Sequence, residues 1–362
     1  MKTGISTTLR KLLPLCLPLL ILAGCDSRPQ VTNTRFLAFG TLVDLTIAGV
    51  SEERSEQAAD ILEQDFQQMH HAWHAWDPGP LGRINRLISE GERRFTAPPS
   101  VIPLIELGTR LSVQSDHLFN PAIGNLVDAW GFHSNDPEGH RPPDQQVIDD
   151  LLKQAPRMTD LQLNGIELLS SNPAVKLDFG AFGKGYGIDL AIDHLRELGI
   201  HNAIINAGGD LRAIGSKNGQ PWRIGIRHPS GEGVLATLDI EGDESVFTSG
   251  DYERNFEWQG QRYHHIIDTR TGYPARGTRS VTVIHDNAAT ADAAATALFI
   301  AGPERWHEIA LRMGVSHVLL VDDSGNLHMN PAMQKRLQLL EPDGNIVPSP
   351  PLNTTQQTPA TR

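Results

Sequence analysis

The sequence predicts an α+β fold of mixed or antiparallel sheets with flanking helices. Three observations predict it. Stretches of helical period stand beside short strand-like runs, those runs crowd together after residue 200, and few are separated by enough chain for a helical crossover. Taken in order, residues 36–47 read as two short strands around Gly40. Residues 53–76 have helical period, with apolar positions at Ala58, Ile61, Leu62, Phe66 and Met69. Residues 99–115 read as another helix. Residues 174–179 read as a strand that enters a glycine-rich turn and then a helix over 186–198. Strands follow at 201–206, 222–227, 234–240, 263–267 and 280–285. An alanine-rich helix covers 287–301, and a helix–strand pair closes the series at 303–321.

At 362 residues the chain suits one large domain or two small ones. A net charge of −12 argues against nucleic acid as the main ligand, because that needs clustered positive charge. Two cysteines exclude a disulfide scaffold, a Cys-type zinc site and an iron–sulfur cluster. Their positions say more. Lys2, Arg10 and Lys11 precede an apolar run at 12–22, the order of a secretory signal and too short for a typical membrane span. The run ends Leu22-Ala23-Gly24-Cys25, which looks like a bacterial lipobox. That likeness implies a signal peptide over 1–24 and lipid on Cys25, with Asp26 suggesting retention at the inner membrane on the periplasmic side. Cleavage there would leave 338 residues with a net charge of −15 and no free thiol, which excludes a thiol nucleophile. Residues 25–35 then read as a lipidated tether, 36–340 as one catalytic domain, and 341–362, rich in Pro, Thr, Asn and Gln, as a disordered tail.

Several segments could carry chemistry. Asp178-Phe-Gly-Ala181-Phe-Gly183-Lys184-Gly-Tyr-Gly places a glycine-rich turn at a helix start, where backbone N–H groups and Lys184 can meet a phosphate, or where a chain simply turns tightly. The spacing is not that of a Walker A loop. Asn206-Ala-Gly208-Gly-Asp210 reads as a turn, and Thr248-Ser249-Gly250-Asp-Tyr as a polar loop. His265 and Asp268, at a strand end before Thr269-Arg270-Thr271-Gly272, can bind polar groups or move a proton; Asp268 can equally cap the turn. Asp292 and Thr296 stand four apart on a helix, so they share a face. A carboxylate with a hydroxyl suits a hard cation such as Mg²⁺, although a helical Thr commonly bonds back to its own helix. His70 and His74 also stand four apart, but no third ligand is near, and Trp73 and Trp76 favour a partly buried helix end.

In this order the motifs resemble the ApbE family of flavin transferases. The resemblance runs from about 36 to 320. It includes Phe39-Gly40-Thr41, Phe119-Asn120-Pro-Ala-Ile-Gly, the 178–187 run, Asn206–Asp210, Thr248–Gly250, His265-Ile-Ile-Asp268 and Ala291-Asp292-Ala-Ala-Ala-Thr296. Departures are Asn120 for a common Asp, Thr269 for a common Pro, and an altered stretch at 77–85. The resemblance implies two α/β subdomains around an FAD cleft. It also implies Mg²⁺ held by the Ala181 carbonyl, Asp292 and Thr296. Phe39, Asn120, Asp178, Gly183, Lys184, Gly208, Thr248, Ser249, Gly250, His265 and Asp268 would face FAD, and Lys184, His265 and Asp268 would lie at the reacting phosphate. The implied activity is Mg²⁺-dependent transfer of FMN from FAD to a Thr or Ser hydroxyl of a target flavoprotein, with AMP released. A Mg²⁺-dependent FAD pyrophosphatase and a non-catalytic flavin-binding lipoprotein are the alternatives.

Overall fold

The computed structural model describes residues 30–134, 140–230, 232–340 and 344–352. The expected signal peptide and Cys25 lie outside these. The largest element is a nine-stranded sheet of β1 (Val31–Ala38), β2 (Thr41–Ala48), β3 (Ala203–Ala207), β4 (Asp210–Ile214), β5 (Glu244–Gly250), β6 (Thr278–His285), β7 (His317–Asp322), β8 (Leu327–Met329) and β9 (Ile346–Pro348), adjacent in space in that order. Every pairing from β1 to β8 is antiparallel, and β9 joins β8 in parallel. This agrees with the α+β expectation.

The central strands are buried on both faces, so they read as apolar runs rather than as alternating ones. On one face Phe247, Val281, Val283, Val318 and Leu320 join the main core. On the other Val246, Ile284, Leu319 and Val321 join a second core, closed by the small sheet of Arg223–Arg227, Val234–Asp239 and Gln338–Leu339. Three helices build the main-core layer: α1 (Glu52–Trp73), α2 (Gly183–Glu197) and α3 (Ala288–Met313). Ser51 caps α1, and Asn287 caps α3 by accepting from the Thr290 N–H at 2.9 Å. α3 comprises the two final helices expected from sequence, which abut at Gly302, where the backbone leaves the helical region (φ 69°, ψ −178°) ahead of Pro303. A third apolar cluster of Trp130, Phe132, Phe256 and Ile267 stands apart from both cores.

Four expectations are corrected. Residues 174–179 form no strand: Leu177 is clasped by the Asn85 side chain, which donates to its carbonyl at 2.8 Å and accepts its N–H at 2.7 Å. Thr248–Gly250 is not a loop but the end of a central strand. The tether read at 25–35 already enters β1 at Val31. The tail read as disordered contributes β9, and Leu352 beyond it is buried. Both terminal strands hold by backbone pairing, which carries little apolar pattern.

Candidate active site

A cleft of about 830 Å³ opens between the main core and the third cluster. That is the size of a pocket for a drug-sized or larger ligand. Its lining includes Phe39, Asn120, Asp178, Ala181, Gly183, Lys184, Gly208, Thr248, Ser249, His265, Asp292 and Thr296. Residues more than 250 positions apart are thus brought to one surface.

The first corner of the cleft is where α2 starts against α3. Gly185 donates its N–H to Asp292 Oδ2 at 3.0 Å. Gly185 is the third residue of α2, so its N–H is one of those a helix start leaves without an intrahelical acceptor, and Ala181 lies just ahead of the helix. Here no backbone N–H of a described residue takes the Ala181 carbonyl. The approach is close enough to require glycine, since a Cβ at Gly185 would lie 2.4 Å from the Ala288 carbonyl oxygen. Asp292 Oδ1 accepts no hydrogen bond from a described residue. Thr296 does not bond back to its helix; its hydroxyl is 3.4 Å from Ser249 Oγ. A bare carbonyl, a carboxylate oxygen and a hydroxyl at one corner match what a hard divalent cation takes. No group of three or more His, Cys, Asp or Glu among the described residues is arranged to hold a metal, so a cation here relies on such mixed oxygens.

Electrostatics point the same way. Lys184 is ion-paired with Asp210, whose other oxygen accepts the Thr248 N–H at 2.8 Å. Burial alone would lower the Lys184 ammonium pKa, but Asp210, Asp292 and Glu253 more than reverse it. Arg227 and Arg254 also line the cleft and act with Lys184 on Glu253. Burial, with Asp210 and Glu253 nearby, pushes Asp292 up to about 8 against the pull of Lys184 and the Gly185 N–H. Burial and Asp210 push Glu253 up to about 7. Burial thus leaves two carboxyls of this corner holding protons near neutral pH, and a bound divalent cation would favour their ionised form instead.

His265 lines the cleft on the far side of Arg254. Its Nδ1 lies 3.3 Å from the Arg254 carbonyl oxygen, a contact satisfied when Nδ1 carries the proton. Nε2 then keeps its lone pair. Burial, the Arg254 guanidinium and His264 hold this imidazole neutral, with its pKa lowered to about 3. The Arg254 side chain is anchored on the Phe132 carbonyl. Asp178 accepts the Gly180 N–H at 2.9 Å, and burial raises its pKa.

The rest of the cleft is aromatic. Phe39 occupies the left-handed region (φ 51°) at the tip of the β1–β2 hairpin, uncommon for so large a residue. Its ring stacks on Trp73 at 6.0 Å and 5°. Trp76 faces His133 at 5.3 Å, and Lys176 Nζ sits 4.0 Å over its ring. His70 and His74 meet edge to face at 5.2 Å, and burial lowers the His70 pKa. They act as part of this aromatic wall.

Three expected contacts are corrected. Asp268 does not line the cleft; both its oxygens accept from Arg270, at 2.8–2.9 Å, and it caps the turn. Gly250 does not line it either; a Cβ there would lie 2.5 Å from the Tyr252 ring. Asn120 borders the cleft, yet its amide serves the loop, donating to Pro156 O at 2.9 Å and accepting from Ala122 N–H at 3.1 Å. Gly208 reaches the cleft with its N–H already given to the Leu42 carbonyl. Sequence reasoning missed Asp210, Arg227, Glu253 and Arg254. The signal for Glu253 and Arg254 was the charged run directly after Gly250, at the end of what proves to be a mid-sheet strand.

Fold and site together define a cleft protein that joins an aromatic wall to an oxygen-rich, cation-ready corner. The chain belongs to the ApbE family, whose profile matches residues 39–319. A Rhodobacter capsulatus FAD:protein FMN transferase is 44% identical over 313 residues, covering 86% of this chain and 59% of that relative. A Vibrio cholerae FAD:protein FMN transferase is 31% identical, covering 81% of this chain and 88% of its own length. Among solved structures, the ApbE protein of Thermotoga maritima superposes with a TM-score of 0.77 at 31% identity, over 85% of this chain and 99% of that one. The apo flavinyl transferase ApbE of Pseudomonas stutzeri gives 0.72 at 27% identity, over 85% and 97%.

Proposed function

We propose that this chain is an FAD:protein FMN transferase. It moves FMN from FAD to a Thr or Ser hydroxyl of a target flavoprotein and releases AMP. The observation that carries this reading is the meeting, in one cleft, of the bare Ala181 carbonyl, Asp292 and Thr296 with Lys184 and a neutral His265.

The acceptor hydroxyl is a weak nucleophile near neutral pH. His265 Nε2 takes its proton as the oxygen attacks the phosphorus on the FMN side. The new O–P bond forms as the P–O bond to AMP breaks, and AMP leaves with the bridging oxygen. Lys184, tied to Asp210, presents positive charge to the pyrophosphate. The flavin ring lies against the aromatic wall. Mg²⁺, held by Ala181, Asp292 and Thr296, would neutralise the charge that builds on the phosphoryl oxygens.

Residues 1–25 support a lipid anchor at Cys25, placing the enzyme on the periplasmic side of the inner membrane. Its acceptors would then be flavoprotein subunits of membrane redox complexes. No described helix is long and apolar enough to cross a membrane. Release of a Cys25→Ala protein into the soluble fraction is the expected result for the anchor.

The deciding experiment is incubation with FAD, Mg²⁺ and a domain bearing a flavinylatable Thr or Ser. Covalent flavin fluorescence on the acceptor with stoichiometric AMP is expected. FMN and AMP without adduct would mean hydrolysis, and FAD recovered intact would mean binding alone; either result overturns the reading.

A further inference from the structure

We infer that Asp189 is a positioning residue: it sets the register of α2 against α3 and thereby assembles the cation corner. The inference rests on the cation reading of the Ala181, Asp292 and Thr296 corner. Asp189 lies on α2, one turn beyond Gly185, and is buried at 6% exposure. Its carboxylate reaches across to the start of α3. Oδ1 accepts the Ala288 N–H at 2.8 Å, and Oδ2 accepts the Ala289 N–H at 3.0 Å and the Asn287 side-chain amide at 2.6 Å. These are N–H groups that a helix start leaves without an intrahelical partner, and a carboxylate there also meets the positive end of the helix dipole. Arg212 of β4, itself buried, pairs with the same carboxylate and is held in turn by Asp243 at 2.9 and 3.0 Å.

Along the α2–α3 seam, therefore, two carboxylates reach across in opposite directions. Asp189 of α2 takes the first N–H groups of α3, and Asp292 of α3 takes the Gly185 N–H of α2. The second contact satisfies an N–H that the start of α2 leaves unpaired, fixes Asp292 beside the Ala181 carbonyl that precedes the helix, and leaves Asp292 Oδ1 open. A slip at the first contact is transmitted to the second, because Asp292 lies one turn along α3 from Ala288. Asp189 touches neither FAD nor the cation. It lies outside the lining of the cleft, and its role is exercised through Asp292, Thr296 and Ala181. Side chains that orient a cation's ligands through hydrogen bonds commonly govern metal affinity by about ten-fold or more.

Two variants test this. Asp189→Asn removes the charge and keeps the shape. Ala288→Pro replaces one donor to Asp189 by a ring carbon that pushes on its carboxylate, at a first helical position whose geometry suits proline, and Asn287 already has the extended backbone that a following proline requires (φ −119°, ψ 122°). Mn²⁺ binding by electron paramagnetic resonance, without FAD, is read beside the Mg²⁺ dependence of transfer and the melting temperature. Both variants are expected to weaken Mn²⁺ binding and raise the half-saturating Mg²⁺ concentration by roughly ten-fold, with kcat at saturating Mg²⁺ within about three-fold of the parent. If either folded variant loses melting temperature but binds Mn²⁺ like the parent, Asp189 merely stabilises the fold and the inference is overturned. If the parent itself binds no Mn²⁺, the cation reading fails and takes the inference with it.

Discussion

The two parts of the cleft are built on different principles. In the charged corner, Asp210, Asp292 and Glu253 raise the Lys184 pKa, and burial with Asp210 nearby raises those of Asp292 and Glu253, so a change at one site is felt at its neighbours. In the aromatic wall, Phe39, Trp73, Trp76 and His133 meet ring to ring, and each contact is local. The corner is coupled, while the wall is closer to additive. Substitutions in the corner should therefore act on the chemical step, and those in the wall on substrate binding.

The sharpest way to break the contrast is Asp292→Asn. The amide oxygen can still accept from the Gly185 N–H, so the fold should persist with little change in melting temperature. The anionic ligand is gone, and transfer is expected to fall by at least about 10³-fold at any Mg²⁺ concentration. Near-normal transfer would remove Asp292 from the cation site. Next comes His265→Ala, with an expected loss of about 10²–10⁴-fold in kcat at saturating FAD and Mg²⁺. Burial and Arg254 hold this imidazole neutral, so its loss should be equally severe at every pH where the protein is folded. A deficit that vanished at high pH would show that hydroxide can take its place.

The coupled corner also gives a pH signature. Without a cation, Asp292 and Glu253 titrate at about 8 and about 7 in the folded protein, above their ordinary 3.8 and 4.5. A raised carboxyl pKa contributes stability that is whole below the ordinary value and is lost as pH climbs to the folded value. The cation-free protein should thus lose melting temperature between about pH 4 and pH 8. Mg²⁺ favours the ionised carboxylates, so its stabilising effect should grow over the same interval. Differential scanning calorimetry at pH 6 and pH 8, with and without Mg²⁺, checks this. A Mg²⁺ effect larger at pH 6 would contradict the assignment.

The wall should answer more mildly. Trp76→Leu removes a ring that faces His133 and carries Lys176. Losing one aromatic contact costs about 1 kcal/mol, so KM for FAD should rise about five- to ten-fold with kcat nearly unchanged. A kcat loss as large as that of the corner variants would mean that the wall orients the reacting phosphate and that the two parts are not separable.

How legible each part was in the sequence follows from what holds it. Asp292 and Thr296 could be paired from helical spacing alone, because that pairing is local. Their meeting with the start of α2 could not: it depends on Gly185 giving its N–H to a residue 107 positions away. The charged run at 251–254 was unreadable as part of the site while Thr248–Gly250 passed for a loop. Val175 to Phe179 alternates like a strand, yet its backbone partners are a side chain, Asn85, and the loop at 121–124, which no local pattern reveals. The helices and the central apolar strands were visible in outline, since burial on one or both faces leaves a period in the sequence. β1 and β9, held at the two edges of the sheet mainly by backbone pairing, were not visible in full.

The smallest effect should come from Asp268, which motif order alone would rank beside His265. They stand three positions apart in the sequence, but their surroundings in the fold differ completely. His265 turns toward the cleft, whereas both Asp268 oxygens face the Arg270 backbone and guanidinium, and Arg270 reaches on to the Ile300 carbonyl at 3.2 Å. Asp268→Asn keeps an acceptor for the Arg270 N–H and so preserves the turn. It weakens one half-exposed ion pair, an interaction worth roughly 0–1 kcal/mol. Transfer should remain within about three-fold of the parent, with a fall of a few degrees at most in melting temperature. A loss approaching that of His265→Ala would mean that the turn rearranges when FAD binds and brings Asp268 to the phosphate. That result would extend the coupled corner into a segment that the structure assigns to the scaffold.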